Sequence, residues 1–532
     1  MIVGLALENQ SALAQLKADR LYPPVVSTGV SEIIAEGKFP EWPCQVRCDR
    51  DDVSLVPMKK AGQWKVTIKD DAAPGIAWLR FVDATSASAL MPLLISRVPV
   101  TAETDKNHEH YRDAQPLVLP TAVAGRLSKS RQVDCYRISI KSGETLVLSV
   151  IANQYLQSPM DAVLQLTDER GNVFAQADDE RNLDPQMVFT AKRDRNIIVR
   201  VFAFPATPNS TIEFAGASSF VYTLRATVGP FLDHVHPILI GKPTKSITPV
   251  GWNLTSSELN RFPATVLMGE TVFSPGAIGW HVLGTADKSA ETMMASSDPK
   301  SPAQVDQIPA VLAGKILAPK QIDRFRFTVQ KGKRYIAKSY SRAQGFRVDT
   351  VLSAINPSDK KQIARHDDTS RTKFDSELNF KASYDGEVEL QVADAVDKHG
   401  PRHAYAVWLH EQKPTVKLTI DSGQWTIKPG GSIEITININ RKNGHKKPLQ
   451  FSATGLPPEV TLSKAIADPK GGTAKSIKLK LTAKPKTKHQ GEFSIHAVEL
   501  ESDGSPSTKY IATNRLADQF DITQLWLTVP AK

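Results

Sequence analysis

Two pairs of histidines have the residue type and spacing for transition-metal chemistry. His108-Glu-His110 and His234-Val-His236 each place two imidazoles two residues apart. Residues two apart on a β-strand face the same side, so each pair can offer two nitrogen ligands together. Neither pair has an assigned third or fourth ligand, and histidines exposed in a connecting segment are the alternative interpretation.

A peptidase site would need a nucleophile, a base and an orienting group. The stretch from His399 to His403 has a distant likeness to the His-Gly-x-His of subtilisin-like enzymes. It falls directly before Tyr405, however, where the last hairpin of a repeated unit is expected. The sequence has no Gly-x-Ser-x-Gly motif and no glycine motif for phosphate or dinucleotide binding. We therefore expect no enzymatic activity and no nucleotide cofactor.

Paired carboxylates occur twice, as Asp178-Asp179 and Asp367-Asp368, each shortly after a strand-like segment. Such pairs can act as metal ligands or general acids when a partner faces them in a cleft. Aspartates also form turns by accepting hydrogen bonds from nearby backbone amides. We favour the turn-forming interpretation for both pairs.

Three cysteines, Cys44, Cys48 and Cys135, are too few for a disulfide framework. Cys44-x-x-x-Cys48 lacks the second pair that a structural zinc site needs. One local disulfide and buried thiols are both open, and we prefer buried thiols.

The strongest pattern in the sequence is an internal duplication. The stretch from Pro120 to Gly143 matches the stretch from Pro309 to Gly332 without a gap, at a constant offset of 189 residues. Matching aspartates and a closing tyrosine follow in the same order: Asp161 with Asp349, Asp184 with Asp375, Asp194 with Asp385, and Tyr222 with Tyr405. A repeat of roughly 110 residues predicts two copies of one module.

Short segments in which apolar and polar residues alternate, as is typical of β-strands, occur along the chain. Trp64-Lys-Val-Thr-Ile-Lys and Ile76-Ala-Trp-Leu-Arg-Phe-Val predict half-buried strands. Proline (35) outnumbers glycine (30), and no stretch past residue 20 sustains the apolar spacing of an amphipathic helix. A chain of 532 residues is too long for one core, so we expect several small β-sandwiches and little helix.

The net charge of +10 permits weak attraction to polyanions, and much of the excess lies near the C-terminus. In Ser476-Ile-Lys-Leu-Lys-Leu-Thr, lysines alternate with apolar residues, which predicts the solvated face of a strand. We prefer this interpretation to a site for nucleic acid or an acidic glycan. Exposed aromatic residues do not interleave with the lysines, so no nucleic-acid partner is expected.

The N-terminus contains Ala12-Leu13-Ala14, which has the small-x-small form of a signal cleavage site. The apolar run before Glu8 is short and no basic residue precedes it. A signal peptide truncated by a misplaced start and a frayed end are the two interpretations, and we favour export. No later stretch approaches the length of a membrane span, so no transmembrane segment is predicted.

The ordered residues of the duplication resemble the bacterial pre-peptidase C-terminal domain family. That family has an acidic lead-in, then Ala-Gln, a glycine, Asp-x-aromatic, further glycine turns, Asp-x-x-Leu, Asp-Asp and a closing tyrosine. The first copy matches with Ala114-Gln115, Gly125, Asp134-Cys-Tyr136, Gly143, Asp161-x-x-Leu164, Gly171, Asp178-Asp179 and Tyr222. The second matches with Ala303-Gln304, Gly314, Asp323-Arg-Phe325, Gly332, Asp349-x-x-Leu352, Asp367-Asp368 and Tyr405. The resemblance implies a jelly-roll-like sandwich and an accessory role beside secreted peptidases.

Some members of this family bind calcium through acidic residues of the lead-in and of the first strands. By that resemblance, the ligands here are Glu103, Asp105, Asn107 and Asp134, if the lead-in folds back on the sandwich. The second copy departs from the pattern, since Met293 and Met294 stand in place of the lead-in acids. The alternative is structural, with Asp134 and its counterpart Asp323 anchoring a turn through backbone amides.

The flanking segments are similar to Ig-like domains that alternate with such modules in large exported bacterial proteins. The fold prediction is therefore all-β, with tandem β-sandwiches in which two jelly-roll-like modules alternate with Ig-like sandwiches. The predicted order is a remnant N-terminus (1–19), an Ig-like domain (20–100), an acidic connector (101–114), module 1 (115–229), an Ig-like domain (230–290), a connector (291–304), module 2 (305–411) and a C-terminal Ig-like domain (415–532).

We expect these domains to form a semi-rigid string of beads, because consecutive small sandwiches hold their end loops apart. The predicted function is non-catalytic, namely binding or spacing at an extracellular protein or glycan polymer. The predicted location is secreted, periplasmic or cell-surface. The alternative is an accessory component of a secreted peptidase system, with the peptidase as partner.

Overall fold

The computed structural model describes residues 15–104, 108–210, 213–242, 247–255, 258–265, 269–296, 298, 301–371, 373–516 and 520–531. Almost all of its regular structure is β. Within these ranges the helices are α1 (Asn153–Leu156) and two 3₁₀ turns, Tyr111–Asp113 and Arg342–Gln344. The predictions of an all-β fold and of little helix are confirmed. None of the helices in these ranges has the length and apolar character needed to span a bilayer.

The N-terminal domain is a sandwich of two four-stranded sheets, with strand orders β1-β3-β6-β5 and β2-β8-β7-β4. Its strands are β1 (Lys17–Tyr22), β2 (Val25–Ser27), β3 (Gly29–Lys38), β4 (Gln45–Cys48), β5 (Val53–Pro57), β6 (Gln63–Ile68), β7 (Gly75–Val82) and β8 (Met91–Ser96). Strand β1 includes residues 17–19, which the sequence placed in an N-terminal remnant, and Ala18 is buried in the core. The cleavage-like Ala12-Leu13-Ala14 lies outside the described residues.

Burial in two strands of this domain shows where the alternation rule holds and where it fails. In β6, Trp64, Val66 and Ile68 are buried and the lysine and threonine between them are exposed, as predicted. Strand β7 was also predicted to be half-buried, and this was wrong, because all eight of its residues are buried. Trp78 of this strand packs against Phe520 of a later domain, with ring centroids 5.6 Å apart, and belongs to the same buried cluster as Trp280. Neighbouring domains therefore cover the face that an isolated sandwich would expose to solvent.

The first copy of the repeat is a sandwich of two five-stranded sheets, ordered β10-β12-β17-β14-β15 and β16-β13-β18-β11-β9. Its strands are β9 (Val100–Ala102), β10 (Gln115–Pro116), β11 (Thr121–Arg126), β12 (Asp134–Ile140), β13 (Thr145–Ile151), β14 (Met160–Thr167), β15 (Val173–Ala177), β16 (Gln186–Thr190), β17 (Arg195–Pro205) and β18 (Val221–Thr227). Strand β9 pairs in parallel with β11, so the predicted connector 101–114 begins as an edge strand of this sandwich.

A middle domain follows, with a two-stranded sheet β19-β21 and a four-stranded sheet β20-β24-β23-β22. Its strands are β19 (Phe231–His236), β20 (Leu239–Ile240), β21 (Thr248–Trp252), β22 (Asn260–Thr265), β23 (Gly269–Phe273) and β24 (His281–Thr285). Strand β19 is buried along its whole length. Both faces of β19 are therefore covered, whereas β21 is half-buried or exposed along its length.

The second copy repeats the topology of the first, with sheets β26-β28-β33-β30-β31 and β32-β29-β34-β27-β25. Its strands are β25 (Glu291–Met294), β26 (Ala303–Val305), β27 (Ala310–Lys315), β28 (Asp323–Val329), β29 (Arg334–Tyr340), β30 (Thr350–Ile355), β31 (Gln362–His366), β32 (Glu377–Lys381), β33 (Gly386–Asp394) and β34 (Ala404–Glu411). The bounds of β27, β28 and β29 fall 189 residues after those of β11, β12 and β13. The duplication seen in the sequence is thus a duplication of fold, strand by strand.

The C-terminal domain has one continuous path of strands, β36-β45-β42-β43-β35-β37-β41-β39, with β38, β40 and β44 paired beside it. Its strands are β35 (Thr415–Ile420), β36 (Gln424–Thr426), β37 (Ser432–Lys442), β38 (Leu449–Thr454), β39 (Val460–Leu462), β40 (Ala465–Ala467), β41 (Ser476–Ala483), β42 (His489–Leu500), β43 (Pro506–Leu516), β44 (Phe520–Ile522) and β45 (Leu525–Val529). Lys478 and Lys480 of β41 point to solvent while Ile477, Leu479 and Leu481 are buried. The solvated-face prediction for these lysines is confirmed.

The domains do not form an open string. Arg80 of the N-terminal domain donates a hydrogen bond to the side chain of Gln424 in the C-terminal domain at 3.0 Å. Trp526 of the C-terminal domain packs against Val82 and Ala87 of the N-terminal domain. The expectation of a semi-rigid rod is therefore wrong, because the first and last domains bury apolar surface against each other.

The three cysteines are free thiols. Cys44 and Cys135 are buried and Cys48 is half-buried. Burial raises the pKa of Cys44 to about 12, which keeps this thiol protonated and unreactive at neutral pH. The preference for buried thiols over a local disulfide is confirmed.

Candidate functional site

A glycine, an aspartate and a tyrosine meet in the core of the first copy. The Tyr222 hydroxyl donates a hydrogen bond to Oδ2 of Asp134 at 2.6 Å. A Cβ atom at Gly125 would lie 2.2 Å from the Tyr222 ring, so only glycine leaves room for the ring to lie across this strand. These three residues of the repeated pattern therefore form one structural unit.

The second copy contains the same unit. The Tyr405 hydroxyl donates to Oδ2 of Asp323 at 2.6 Å. A Cβ atom at Gly314 would lie 2.3 Å from the Tyr405 hydroxyl and 2.5 Å from the Asp323 carboxylate. The matching residues of the two copies keep the same contacts because the same ring must pack over the same strand.

The carboxylates of Asp134 and Asp323 accept hydrogen bonds from side chains. The sequence interpretation had assigned them backbone amides as partners. Oδ1 of Asp134 accepts a hydrogen bond from Gln132 Nε2 at 2.7 Å, and Oδ1 of Asp323 accepts one from Gln321 Nε2 at 2.7 Å. The glutamine bonds the loop instead, since Gln132 Oε1 accepts from the amide of Ser128 at 2.7 Å. The turn-anchoring role predicted for the aspartates is therefore corrected, as the glutamine two residues earlier performs it.

The first copy adds two further ligand-type residues to its aspartate. Nε2 of His108 lies 3.5 Å from Oε1 of Glu103 and 3.7 Å from Oδ1 of Asp134. Ligand atoms of these three residues lie within 4.8 Å of one another. His108 and Asp134 are buried, and Glu103 is half-buried. Glu103 and Asp134 were predicted as metal ligands, and the fold brings them together as expected.

Burial dominates the electrostatics of this cluster. It raises the pKa of Asp134 to about 6, against the lowering effect of the hydrogen bonds from Tyr222 and Gln132 and of the nearby His108. Burial also raises the pKa of Tyr222 well above its ordinary value, and the neighbouring Asp134 charge adds to this. A positive charge placed between Glu103 and Asp134 would relieve the cost of holding two carboxylates out of water.

The described donors, one imidazole and two carboxylates, suit zinc better than calcium. Ligands about 2.0–2.2 Å from a tetrahedral zinc ion are separated from one another by roughly 3.3–3.6 Å, close to the separations found here. Calcium prefers six to eight oxygen ligands. The other predicted calcium ligands, Asp105 and Asn107, lie outside the described residues. Glu103, His108 and Asp134 do not make a calcium site by themselves, and the calcium assignment stays a prediction.

The sequence interpretation did not assign His108 to this cluster. It was considered only with His110, whose Nδ1 instead accepts a hydrogen bond from the amide of Arg112 at 3.3 Å. The two residues separate because the segment at 108–113 is a loop and a 3₁₀ turn, not a strand. The acidic lead-in directly before His108 was the available signal.

The position equivalent to Glu103 in the second copy is Ala295. The amide of Glu103 donates to the carbonyl of Ala124, and the amide of Ala295 donates to the carbonyl of Ala313, its counterpart. The sequence comparison placed Met293 and Met294 there, which is wrong by one or two residues. Ala102 pairs with Ala124 and Met294 pairs with Ala313, so the segment between the two paired strands is shorter in the second copy. The conclusion that this copy lacks the lead-in acid stands.

The paired aspartates directly follow strands β15 and β31. The amide of Asp179 donates to Oδ1 of Asp178 at 2.9 Å, and the amide of Asp368 donates to Oδ1 of Asp367 at 2.9 Å. Both pairs are exposed. Each bond joins adjacent residues and no turn is assigned at either pair, so the turn-forming interpretation stays a prediction.

The second histidine pair does not form a joint metal site among the described residues. Both imidazoles lie on β19, where a register irregularity between Leu232 and His234 disturbs the simple alternation. Nδ1 of His234 is bonded to Asp233 at 2.6 Å. His236 faces a cavity of the second copy instead. The segment from His399 to His403 forms the connection between β33 and β34, as its place before Tyr405 predicted.

A buried ionic group joins three domains at Asp233. This fully buried carboxylate accepts hydrogen bonds from Arg402 of the second copy and from Gln186 of the first copy, the latter at 2.7 Å. Burial raises the pKa of Asp233, but the guanidiniums of Arg402 and Arg181 outweigh it and hold this pKa well below its usual range. The sequence interpretation missed this group because its members are about 50 to 170 residues apart.

A basic cleft of about 700 Å³ opens where the first copy, the second copy and the C-terminal domain meet. Five basic side chains line it together with three acidic ones: Lys338, Arg342, Lys373, Lys442 and Arg515, with Asp179, Asp375 and Glu377. The carboxylate of Asp375 is already engaged, since it accepts the backbone amides of residues 341–343 at 2.9–3.0 Å. The cleft therefore carries a surplus of positive charge.

No protein-family model matches this sequence, and no curated protein matches it. Among solved structures, the chain is similar to the fibronectin(III)-like modules of Clostridium thermocellum CbhA, at 13% identity over 43% of this chain and 90% of that one, with a TM-score of 0.13. It is also similar to the M60 catalytic domain with CBM51 domains of Clostridium perfringens ZmpB, at 11% identity over 73% of this chain and 45% of that one, with a TM-score of 0.14. A third similar structure is the N-terminal four Ig domains of Dscam1 isoform 1.9, at 7% identity over 93% and 97% of the two chains, with a TM-score of 0.17. At these identities and scores the matches carry no functional argument.

Proposed function

We propose that this protein is a non-catalytic, exported or cell-surface multidomain protein that binds an acidic extracellular polymer. The observation that carries this proposal is the basic cleft between the two copies and the C-terminal domain. Loops and junctions on a rigid β scaffold are the usual places where such proteins contact their partners. Packing between the domains holds the walls of the cleft in fixed positions.

The charges in the cleft favour an anionic partner. None of Lys338, Arg342, Lys373 and Lys442 forms an ion pair with a carboxylate in the part of the chain that the structure describes. Unpaired basic groups that share a concave surface produce a positive potential that attracts negative charge from a distance. A carboxylated or sulfated chain in the cleft would neutralise several of them together.

Two of these cations lie over the faces of aromatic rings. Nζ of Lys338 lies 5.3 Å from the centre of the Tyr340 ring, and Cζ of Arg342 lies 5.3 Å from the centre of the Phe374 ring. These cation–π contacts restrict both side chains before binding, so less side-chain conformational entropy is lost when a partner binds. Ordered cations beside apolar rings suit a polymer that carries charges on an otherwise apolar or sugar backbone.

Two further assignments are part of this proposal. The two copies are proposed as modules of the pre-peptidase C-terminal type, on the repeated pattern that ends in Tyr222 and Tyr405. The cluster of Glu103, His108 and Asp134 is proposed as a divalent-cation site that stabilises the first copy. A cation there would fasten the lead-in segment to the sandwich at Asp134.

Retention of the whole protein on immobilised polymers tests the binding proposal. Alginate and hyaluronan serve as acidic polymers, with cellulose and chitin as neutral ones, each at low and high salt. We expect retention on an acidic polymer that is lost at high salt, because salt screens exposed charges. The variant R342Q/K373Q should bind roughly tenfold or more weakly, since rim and cleft charges set electrostatic affinity.

The variant K478Q/K480Q is the matched control, because it removes the same charge from an exposed strand face outside the cleft. It should bind like the original protein. Equal loss in both double variants would mean that net charge alone is responsible, and the cleft proposal would then be wrong. Absence of retention on every acidic polymer would also contradict it, and co-purification with a peptidase would favour the accessory role.

A further inference from the structure

The second copy contains a cavity of about 670 Å³ at the place where the first copy has its metal-type cluster. Gly314 and Asp323, the counterparts of Gly125 and Asp134, line this cavity. Ala295, which replaces Glu103, also lines it. In the first copy, Glu103 and His108 lie beside Asp134 at the corresponding place.

Lys315 lines this cavity and, within the described part of the chain, has no carboxylate partner of the kind that Arg126, its counterpart in the first copy, has. In the first copy, Arg126 forms an ion pair with Glu36 of the N-terminal domain at 2.8 Å and stacks on the ring of Tyr22 at 4.1 Å. The equivalent residue of the second copy is Lys315, which is half-buried and pairs with no carboxylate among the described residues. Burial lowers the pKa of Lys315, as expected of an ammonium group held partly out of water without a counter-charge.

A buried histidine lines the same cavity. His236 is 8% exposed, and its Nδ1 atom has no hydrogen-bond partner within the described ranges. This nitrogen is itself buried, so the ring meets the cavity through its other atoms. Burial lowers the pKa of His236 to about 3, with Lys315 contributing, so its ring is neutral at physiological pH.

Two of the other charged groups of the cavity are already engaged, whereas the third, Lys320, is exposed and pairs with no carboxylate among the described residues. Asp323 accepts hydrogen bonds from Tyr405 and Gln321, and Arg324 pairs with Glu389 at 2.9 Å. Apolar side chains form part of the walls, and two of them reach solvent: Met294 is 44% exposed and Leu317 is 59% exposed. The cavity thus combines a half-buried unpaired ammonium group at Lys315, a second, exposed one at Lys320, and apolar side chains at its rim.

We propose that this cavity binds a carboxylate carried on an apolar group, with Lys315 pairing the carboxylate beside the neutral ring of His236. Met294 and Leu317 contact the apolar group. A free small carboxylate and the C-terminal end of a polypeptide both have this chemistry. The proposal is independent of polymer binding, because the basic cleft shares none of these residues.

Isothermal titration of the whole protein tests the site with three probes. The probes are N-acetyl-leucine, the tripeptide acetyl-Ala-Ala-Leu with a free carboxylate, and the same tripeptide as its C-terminal amide. We expect a free-acid probe to bind and the amide to bind roughly tenfold or more weakly, since the amide removes the charge that Lys315 pairs. Similar affinities of N-acetyl-leucine and the tripeptide acid would identify a free carboxylate, whereas tighter tripeptide binding would identify a chain end.

The variant K315M keeps the length and apolar stem of the side chain and should lose roughly tenfold or more in affinity for the free acid. The variant K331M, at an exposed lysine of the same module, should bind normally. Unfolding curves of both variants check that the fold is intact. Equal affinity for acid and amide, unchanged binding by K315M, or no heat with any probe would each overturn the proposal. Loss of polymer retention with intact probe binding would remove the polymer proposal alone.

Discussion

The carboxylate of Asp233 accepts a hydrogen bond from the guanidinium of Arg402, and this pair joins the middle domain to the second copy out of contact with solvent. Arg181 of the first copy donates to the backbone carbonyl of Asp233 at 3.0 Å. Arg402 also donates to the carbonyl of Gly345 at 2.7 Å. Three consecutive domains therefore share one buried ionic group, which fixes their relative positions.

The substitution D233N should destabilise the protein by about 3–5 kcal/mol, because it leaves the Arg402 charge buried without its counter-charge. Urea unfolding monitored by tryptophan fluorescence measures the loss. The control is E213Q, which breaks the exposed pair with Arg131 and should cost no more than about 1 kcal/mol. The double variant D233N/R402M should recover part of the loss. A D233N protein as stable as the original would show that the pair does not hold the domains together.

The stability contributed by His281 should depend on pH. This residue is buried, and burial, with His234 and Arg181 adding, lowers its pKa to about 3. The folded protein then binds fewer protons than the unfolded chain between about pH 3 and pH 6.5, so this group costs stability as pH falls through that range.

The comparison with H281Q gives the sign of this effect directly. The stability advantage of the original protein over H281Q should shrink by up to about 1.4 kcal/mol per pH unit below pH 6.5. Denaturant unfolding of both proteins from neutral to acidic pH measures the difference. An advantage that stays constant or grows towards low pH would be inconsistent with a neutral, buried imidazole.

Divalent cations should raise the melting temperature if the cluster at Asp134 holds one, because a ligand that binds only the folded state stabilises it. We expect zinc to do so in the original protein and in H110A, but not in H108A. Thermal unfolding with zinc, with calcium and with a chelator measures this. A calcium effect that survives H108A would instead favour the oxygen ligands Glu103, Asp105, Asn107 and Asp134. No response to either cation would remove the metal proposal.

The substitution G125A should destabilise the first copy by about 1–3 kcal/mol or more, because the added methyl group would overlap the Tyr222 ring. The substitution G314A should act similarly on the second copy through Tyr405. The control is G472A, where a Cβ atom would meet nothing within 4 Å. Thermal unfolding of the three variants checks the expectation, and equal melting temperatures would refute the assigned packing.

Local patterns in the chain predicted much of the fold correctly. The alternation in Trp64-Lys-Val-Thr-Ile-Lys matched the burial of β6, and the offset of 189 residues matched the bounds of corresponding strands. The same reasoning failed at Ile76-Ala-Trp-Leu-Arg-Phe-Val, because another domain covers its outer face. The periodicity of a strand predicts which of its faces is apolar. It does not predict whether another domain packs on the face that mixes polar and apolar residues.

The residues of the candidate sites were likewise predicted only in part from the sequence. Glu103 and Asp134 were predicted from the resemblance to the pre-peptidase C-terminal domain family, whereas only the fold of a loop brings His108 beside them. The loss of the Glu36 partner at Lys315 is invisible in sequence, since Arg126 and Lys315 are both basic residues at matching positions.

The sequence alone determined that this protein is β-rich and that one module occurs twice, because strand alternation and the glycine, aspartate and tyrosine pattern depend on contacts within a single module. Only the tertiary structure decided that the first and last domains touch, that Asp233 and Arg402 meet, and that the two copies differ in the space beside their shared aspartate. Those relationships arise between side chains far apart in the chain, and the burial of charge and apolar surface between domains fixes them.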